Sequence, residues 1–86
     1  MLRIDMIGEI KCILEDVKGI PGLAQQLSDS ADIVDEVGID SLEMLQFMLE
    51  IESRLRVQVD FDAMEFSYLK SIKKLSEFLA TMKREG

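Results

Sequence analysis

The chain has 86 residues, with no His and a single Cys, so few side chains could do chemistry. Every His-based triad, dyad or metal site is excluded, as are an intrachain disulfide and a Cys-rich zinc site. The serine of Asp40-Ser41-Leu42 stands at the head of a helical pattern. Asp40 and Glu43 have the spacing of a capping box. With Asp40 as the cap, Ser41 becomes the first helical residue and its hydroxyl is free to face solvent. If Ser41 itself were the cap, a Glu three residues later would favour it, but Met44 stands there. As a nucleophile Ser41 lacks a base, because no Lys or Arg occurs between positions 19 and 53. The positive end of a helix dipole suits a phosphate on that oxygen. A serine that accepts a phosphoryl-linked group is therefore chemically more sensible than one that attacks substrates. Cys12 lies off the apolar arc of its helix, so it is expected to be exposed and incidental.

The elements that position Ser41 follow from periodicity. Residues 3–18 read as a first helix with Met6, Ile7, Ile10, Ile13, Leu14 and Val17 on one arc, stopped by Gly19 and Pro21. Residues 19–39 form a long connection with a short turn around Leu23–Leu27, pinned by Ile33, Val34, Val37 and Ile39. Residues 40–55 read as the second main helix, residues 60–68 as one or two short turns, and residues 71–83 as the last helix with Ser71 as N-cap. In that last helix Ile72, Leu75, Phe78, Leu79 and Met82 share an arc, while Lys73, Lys74, Glu77, Thr81 and Arg84 face away. Arg56 to Asp60 alternates but is too short and isolated for a strand. The fold class is all-α: a small bundle of three main helices plus one short helix, in a single domain over residues 1–86 with the last few frayed.

The helix over 40–55 has two apolar faces. At about 100° per residue, Met44, Phe47, Met48, Ile51 and Leu55 fall on one arc and Leu42, Leu45 and Leu49 on another. Glu52 lies between the arcs on one side, and Glu43, Gln46 and Glu50 on the other. The wider arc is the natural core face. The leucines then either pack on the long loop or form a docking patch with an acidic rim for a basic partner.

The net charge is −7, and it is concentrated. Residues 19–53 hold eight acids and no base, which leaves +1 for the rest of the chain. This excludes a nucleic-acid backbone as partner and disfavours anionic membrane surfaces. No apolar run approaches the about 20 residues of a membrane span, and charges at Arg3 and Asp5 break the pattern of a signal peptide. With one Cys, a reducing cytoplasmic setting is expected.

Val34-Asp35-Glu36-Val37-Gly38-Ile39-Asp40-Ser41-Leu42 resembles the prosthetic-group attachment segment of acyl carrier proteins. Residues 43–55 match that family's second helix in pattern, and the resemblance runs loosely over residues 3–82. It implies a carrier and not an enzyme, with 4'-phosphopantetheine at Ser41, between Asp40 and Leu42, added from coenzyme A by a phosphopantetheinyl transferase. It places Leu42, Leu45 and Leu49 with Asp40, Glu43 and Glu52 on the face docked by acyl-processing enzymes with basic surfaces. It places Met44, Phe47, Met48, Ile51 and Leu55 inside, where an acyl chain can be sheltered. Met64 lies in the segment expected to close over that interior, and the loose methionines suit an expandable core. A monomer is expected. Positions 46 and 53, often acidic in the family, are Gln46 and Ser53 here. The stretch 59–72 is about two residues longer than in fatty-acid carriers, lacks their usual Pro, and carries Phe61, Phe66 and Tyr68. A carrier for a polyketide or specialised lipid pathway thus fits at least as well as fatty-acid synthesis. The alternative from another class is an unmodified acidic adaptor that binds partners through Leu42, Leu45 and Leu49.

Overall fold

The computed structural model describes residues 5–60 and 62–82. The expected helical residues 3, 4 and 83, the side chains of Phe61 and Arg84 and the frayed end lie outside them. Helix α1 spans Met6–Lys18, α2 Leu23–Gln26, α3 Ser41–Leu55 and α4 Ile72–Ala80, with a 3-10 helix at Phe66–Lys70 between α3 and α4. No β-strand forms among the described residues. The three longer helices are the expected ones. The expected turn near Leu23 is a four-residue helix, and the segment after Asp60 contains a full 3-10 helix.

Caps set the boundaries. Asp5 is non-helical (φ −82°, ψ 87°) and accepts the Gly8 N–H at 3.1 Å, so it caps α1 at Met6. Gly19, with φ +67°, closes α1 in the left-handed conformation that favours glycine. Ser71 caps α4 as expected, accepting from the Lys74 N–H. That helix ends at Ala80, short of residue 83. There the Thr81 N–H turns back to the Phe78 carbonyl at 3.1 Å and its hydroxyl donates to the same oxygen at 2.7 Å.

The helices bury the faces their periodicity marks. Ile10, Ile13 and Leu14 of α1, Phe47, Ile51 and Leu55 of α3, and Ile72, Leu75 and Leu79 of α4 form one core. Met6, Ile7 and Val17 pack half-buried on its edge, and Cys12 is exposed. Helix α1 contacts α2, α3 and α4 and is the hub of the bundle. Ser76 is buried on the inner side of α4, a position its polarity did not suggest. Its hydroxyl donates to the Lys73 carbonyl at 2.7 Å, which satisfies it locally.

The long connection is held from both sides. Ala31, Ile33 and Ile39 are buried. Its backbone pairs with the second half of the chain: Ile33 N–H donates to the Leu69 carbonyl (2.9 Å), Ile72 N–H to Ala31 (3.0 Å) and Lys73 N–H to Asp29 (2.8 Å). The Asp32 carboxylate accepts the Val34 and Asp35 N–H groups at 2.9 and 2.8 Å, which curls the segment toward α3. After α3, Val57 and Val59 are buried while Arg56, Gln58 and Asp60 are exposed, so the alternation there records burial without a strand.

The two faces of α3 separate as the helical wheel requires. Phe47 and Ile51 are fully buried, whereas Leu42, Leu45 and Leu49 are 66%, 57% and 56% exposed. Phe47→Ala should therefore lose about 3–5 kcal/mol in urea unfolding. Leu45→Ala should change stability by less than about 0.5 kcal/mol, as at other surface positions.

Candidate functional site

The site is the turn from the long connection into α3. Gly38 takes φ +76°, a conformation that a side chain would strain. Ile39 is buried and anchors the turn to the core. Asp40 is then extended (φ −91°, ψ −177°) and closes a complete capping box. Its Oδ1 accepts the Glu43 N–H at 2.8 Å, and Glu43 Oε1 accepts the Asp40 N–H at 3.0 Å. Ser41 is the first residue of α3 and is exposed. Its hydroxyl makes no hydrogen bond among the described residues. The cap is thus satisfied without Ser41, and the hydroxyl stands at the positive end of a 15-residue helix.

The sequence-derived site residues divide into three groups. Asp40, Ser41 and Leu42 sit together at the helix start. Leu45 and Leu49 continue the exposed face from Leu42. Met48, Phe47 and Ile51 are buried, and Met44 and Met64 pack half-buried against the same core.

The two acids expected beside the leucines are drawn inward. Glu43 is only 22% exposed, and besides the cap it pairs with Lys18 Nζ at 3.0 Å. Glu52 accepts the Val59 N–H at 3.1 Å and fastens the chain leaving α3. Glu50 pairs with Arg54 at 3.2 Å, and Arg54 also bonds Asp16, which ties α3 to α1. The hydrogen bond to Asp16 chiefly holds the Arg54 guanidinium above its ordinary pKa.

Several participants escaped the sequence reading. Lys18 reaches Glu43 and the Gly38 carbonyl from the end of α1. Its only signal was its place as the last base before the base-free segment. Lys70 pairs with Asp35 at 3.1 Å and lies 5.2 Å from the centre of the Phe66 ring, so the 3-10 helix is fastened to the connection ahead of Ser41. Phe66 itself is 61% exposed. Tyr68 stacks on Phe78 at 4.8 Å between ring centres, joining the 3-10 helix to α4. No group of three His, Cys, Asp or Glu residues among the described ones could hold a metal ion. None of the described helices is long and apolar enough to cross a membrane.

The family model described as the phosphopantetheine attachment site matches residues 9–79. An acyl carrier protein of Thermotoga maritima is 28% identical over 58 residues, covering 67% of this chain and 69% of its own. The solution NMR structure of a holo acyl carrier protein from Nitrosomonas europaea superposes with a TM-score of 0.80, over 90% of this chain and 94% of its own, at 18% identity. At that identity the likeness is one of fold.

The division of labour at the helix start predicts a contrast. Asp40→Ala should cost about 0.5–2 kcal/mol through loss of the cap. Ser41→Ala should leave the urea midpoint in place.

Proposed function

The chain belongs to the phosphopantetheine attachment site family, that of the acyl carrier proteins, and from that premise we propose that Ser41 is its attachment residue. The observation that carries this reading is the complete Asp40–Glu43 box, which caps α3 and leaves the Ser41 hydroxyl exposed and unbonded. The residues present fit the group. A phosphodiester on Ser41 Oγ would carry its negative charge at the positive end of α3. The nearest carboxylates, Asp40 and Glu43, are occupied by the N–H groups of the cap and by Lys18. The chain contains no His to deprotonate Ser41, so the partner transferase supplies the base for loading. When bound, the arm supplies a terminal thiol that holds an acyl group as a thioester. The protein contributes the anchoring oxygen, a rigid helix start and surfaces that partners read.

Three leucines lie on the face below Ser41, exposed and aligned along α3. Because Glu43 and Glu52 are engaged within the fold, apolar contact by Leu42, Leu45 and Leu49 carries more of the docking than charge does. Partners with basic rims around an apolar recess suit this face, and the chain meets them as a monomer in the cytoplasm. The longer segment after Val59, with Phe66 exposed, suits a specialised lipid or polyketide pathway at least as well as general fatty-acid synthesis.

Intact mass after incubation with coenzyme A and a phosphopantetheinyl transferase tests the reading. The wild-type chain should gain one 4'-phosphopantetheine, and Ser41→Ala should gain nothing while remaining folded. An acidic adaptor would gain nothing in either form. Loading an acyl chain should raise the melting temperature, increasingly with chain length up to a limit. Each methylene sheltered beside Met44, Met48 and Met64 contributes up to about 0.8 kcal/mol. An unchanged melting temperature from acetyl to octanoyl would place the cargo outside the core.

A further inference from the structure

Lys18 is the last base before the acidic segment, and its ammonium is committed to the turn that presents Ser41. Nζ donates to the Gly38 carbonyl at 3.1 Å and to Glu43 Oε1 at 3.0 Å. The same Glu43 oxygen accepts the Asp40 N–H at 3.0 Å. One cation therefore grips both sides of the turn, the loop at Gly38 and the first turn of α3 at Glu43. The two side chains are 18% and 22% exposed, against 44% and 70% for Lys70 and Asp35. Water and salt consequently screen the Lys18 pair less. Packing does little of this work at Gly38, where a Cβ would meet nothing within 4 Å.

We propose that Lys18 is a positioning residue for the loading of Ser41, holding residues 38–40 in the conformation that the transferase receives. This rests on Ser41 being the attachment residue. In loading, Ser41 Oγ forms a bond to the pantetheine-bearing phosphorus of the coenzyme A pyrophosphate. The bond from that phosphorus to the bridging oxygen breaks, adenosine 3',5'-bisphosphate leaves with the electron pair, and the serine proton passes to a base on the transferase. Lys18 touches none of these atoms. Its effect is on the fraction of chains whose turn is already formed. When that fraction falls, the apparent affinity falls in proportion, while turnover of the bound complex is preserved. A simple charge effect has the opposite sign, because removing a cation from an acidic chain strengthens its attraction to a basic partner.

The test measures loading kinetics with a broad-specificity phosphopantetheinyl transferase and coenzyme A, varying the concentration of the apo chain. Lys18→Met should raise KM about two- to five-fold with kcat at the wild-type value. Lys18→Arg should restore most of the KM. Lys74→Met, which removes a cation from α4, should leave KM unchanged or lower it. A KM for Lys18→Met equal to or below wild type overturns the proposal, and so does a fall in kcat alone. If Lys18→Met fails to fold, Glu43→Gln reads the same contact, since Gln still accepts the Asp40 N–H but offers Lys18 no charge. Because losing one acid also weakens attraction to a basic partner, Glu36→Gln is the control: a KM raised more by Glu43→Gln than by Glu36→Gln supports the proposal, and an equal one overturns it. Failure of the wild-type chain to load, or loading of Ser41→Ala, would instead overturn the assignment of Ser41.

Discussion

Residues 19–53 carry eight acids and no base, and they must nevertheless fold against the rest of a small protein. Cations from outside the segment make this possible. Lys11 reaches Asp29 at 2.7 Å, Lys18 reaches Glu43, Lys70 reaches Asp35, and Arg54 takes Glu50 while also holding Asp16. Partly exposed pairs of this kind are worth about 0–1 kcal/mol each, so they do not supply most of the folding energy. Burial of side chains such as Ile33, Phe47 and Ile51 contributes about 1.5–3 kcal/mol apiece. The hydrophobic anchors fix that the connection is bound. The ion pairs fix where its polar residues point, while the reciprocal Asp40–Glu43 bonds make Asp40 the cap and leave Ser41 outside.

Helix α3 meets two demands at once. Its inner arc must complete the core with α1 and α4, and its outer arc stays apolar without a covering element. Leaving three leucines exposed along one line is costly unless something uses them. The inner arc compensates with the well-buried Phe47, Ile51 and Leu55, which hold the helix in place whether or not the outer arc is occupied. Met44 and Met48 then sit on the inner side, where flexible, unbranched side chains can yield without unseating those three.

Much of this was legible in the sequence because it depended on local rules. The capping box was readable from Asp40 and Glu43 alone. The two faces of α3 followed from spacing, and Ser71 announced the start of α4. The remainder depended on contacts distant in sequence. Glu43 and Glu52 look like free surface acids on a helical wheel, but Lys18 lies 25 residues from the first and the Val59 N–H is supplied by a chain reversal after α3. The pairing of Ala31 and Ile33 with Ile72 and Leu69 is likewise invisible to periodicity, since neither segment forms a strand. Helix α4 ends at Ala80 although Met82 continues its apolar arc. Periodicity carries no information on where Thr81 closes the backbone.

In the proposed carrier role the attachment point is presented rigidly and the cargo held adaptably, and this fold sets those two demands at opposite ends of the scale of side-chain stiffness. Around Ser41 the constraints are short and directional: a left-handed glycine, a buried isoleucine, two reciprocal cap bonds and one bridging ammonium. Each fixes a backbone group, so the hydroxyl is placed without being held itself. In the interior the constraint is volume, and methionines at positions 44, 48 and 64 meet it with soft torsions. If the methionines were exchanged for β-branched residues the core would be better specified but less able to open. Loosening the cap would leave the core intact but present the serine in many orientations. Keeping rigidity in the hydrogen bonds of the turn and compliance in the side chains of the core lets α3 meet both demands of that proposed role.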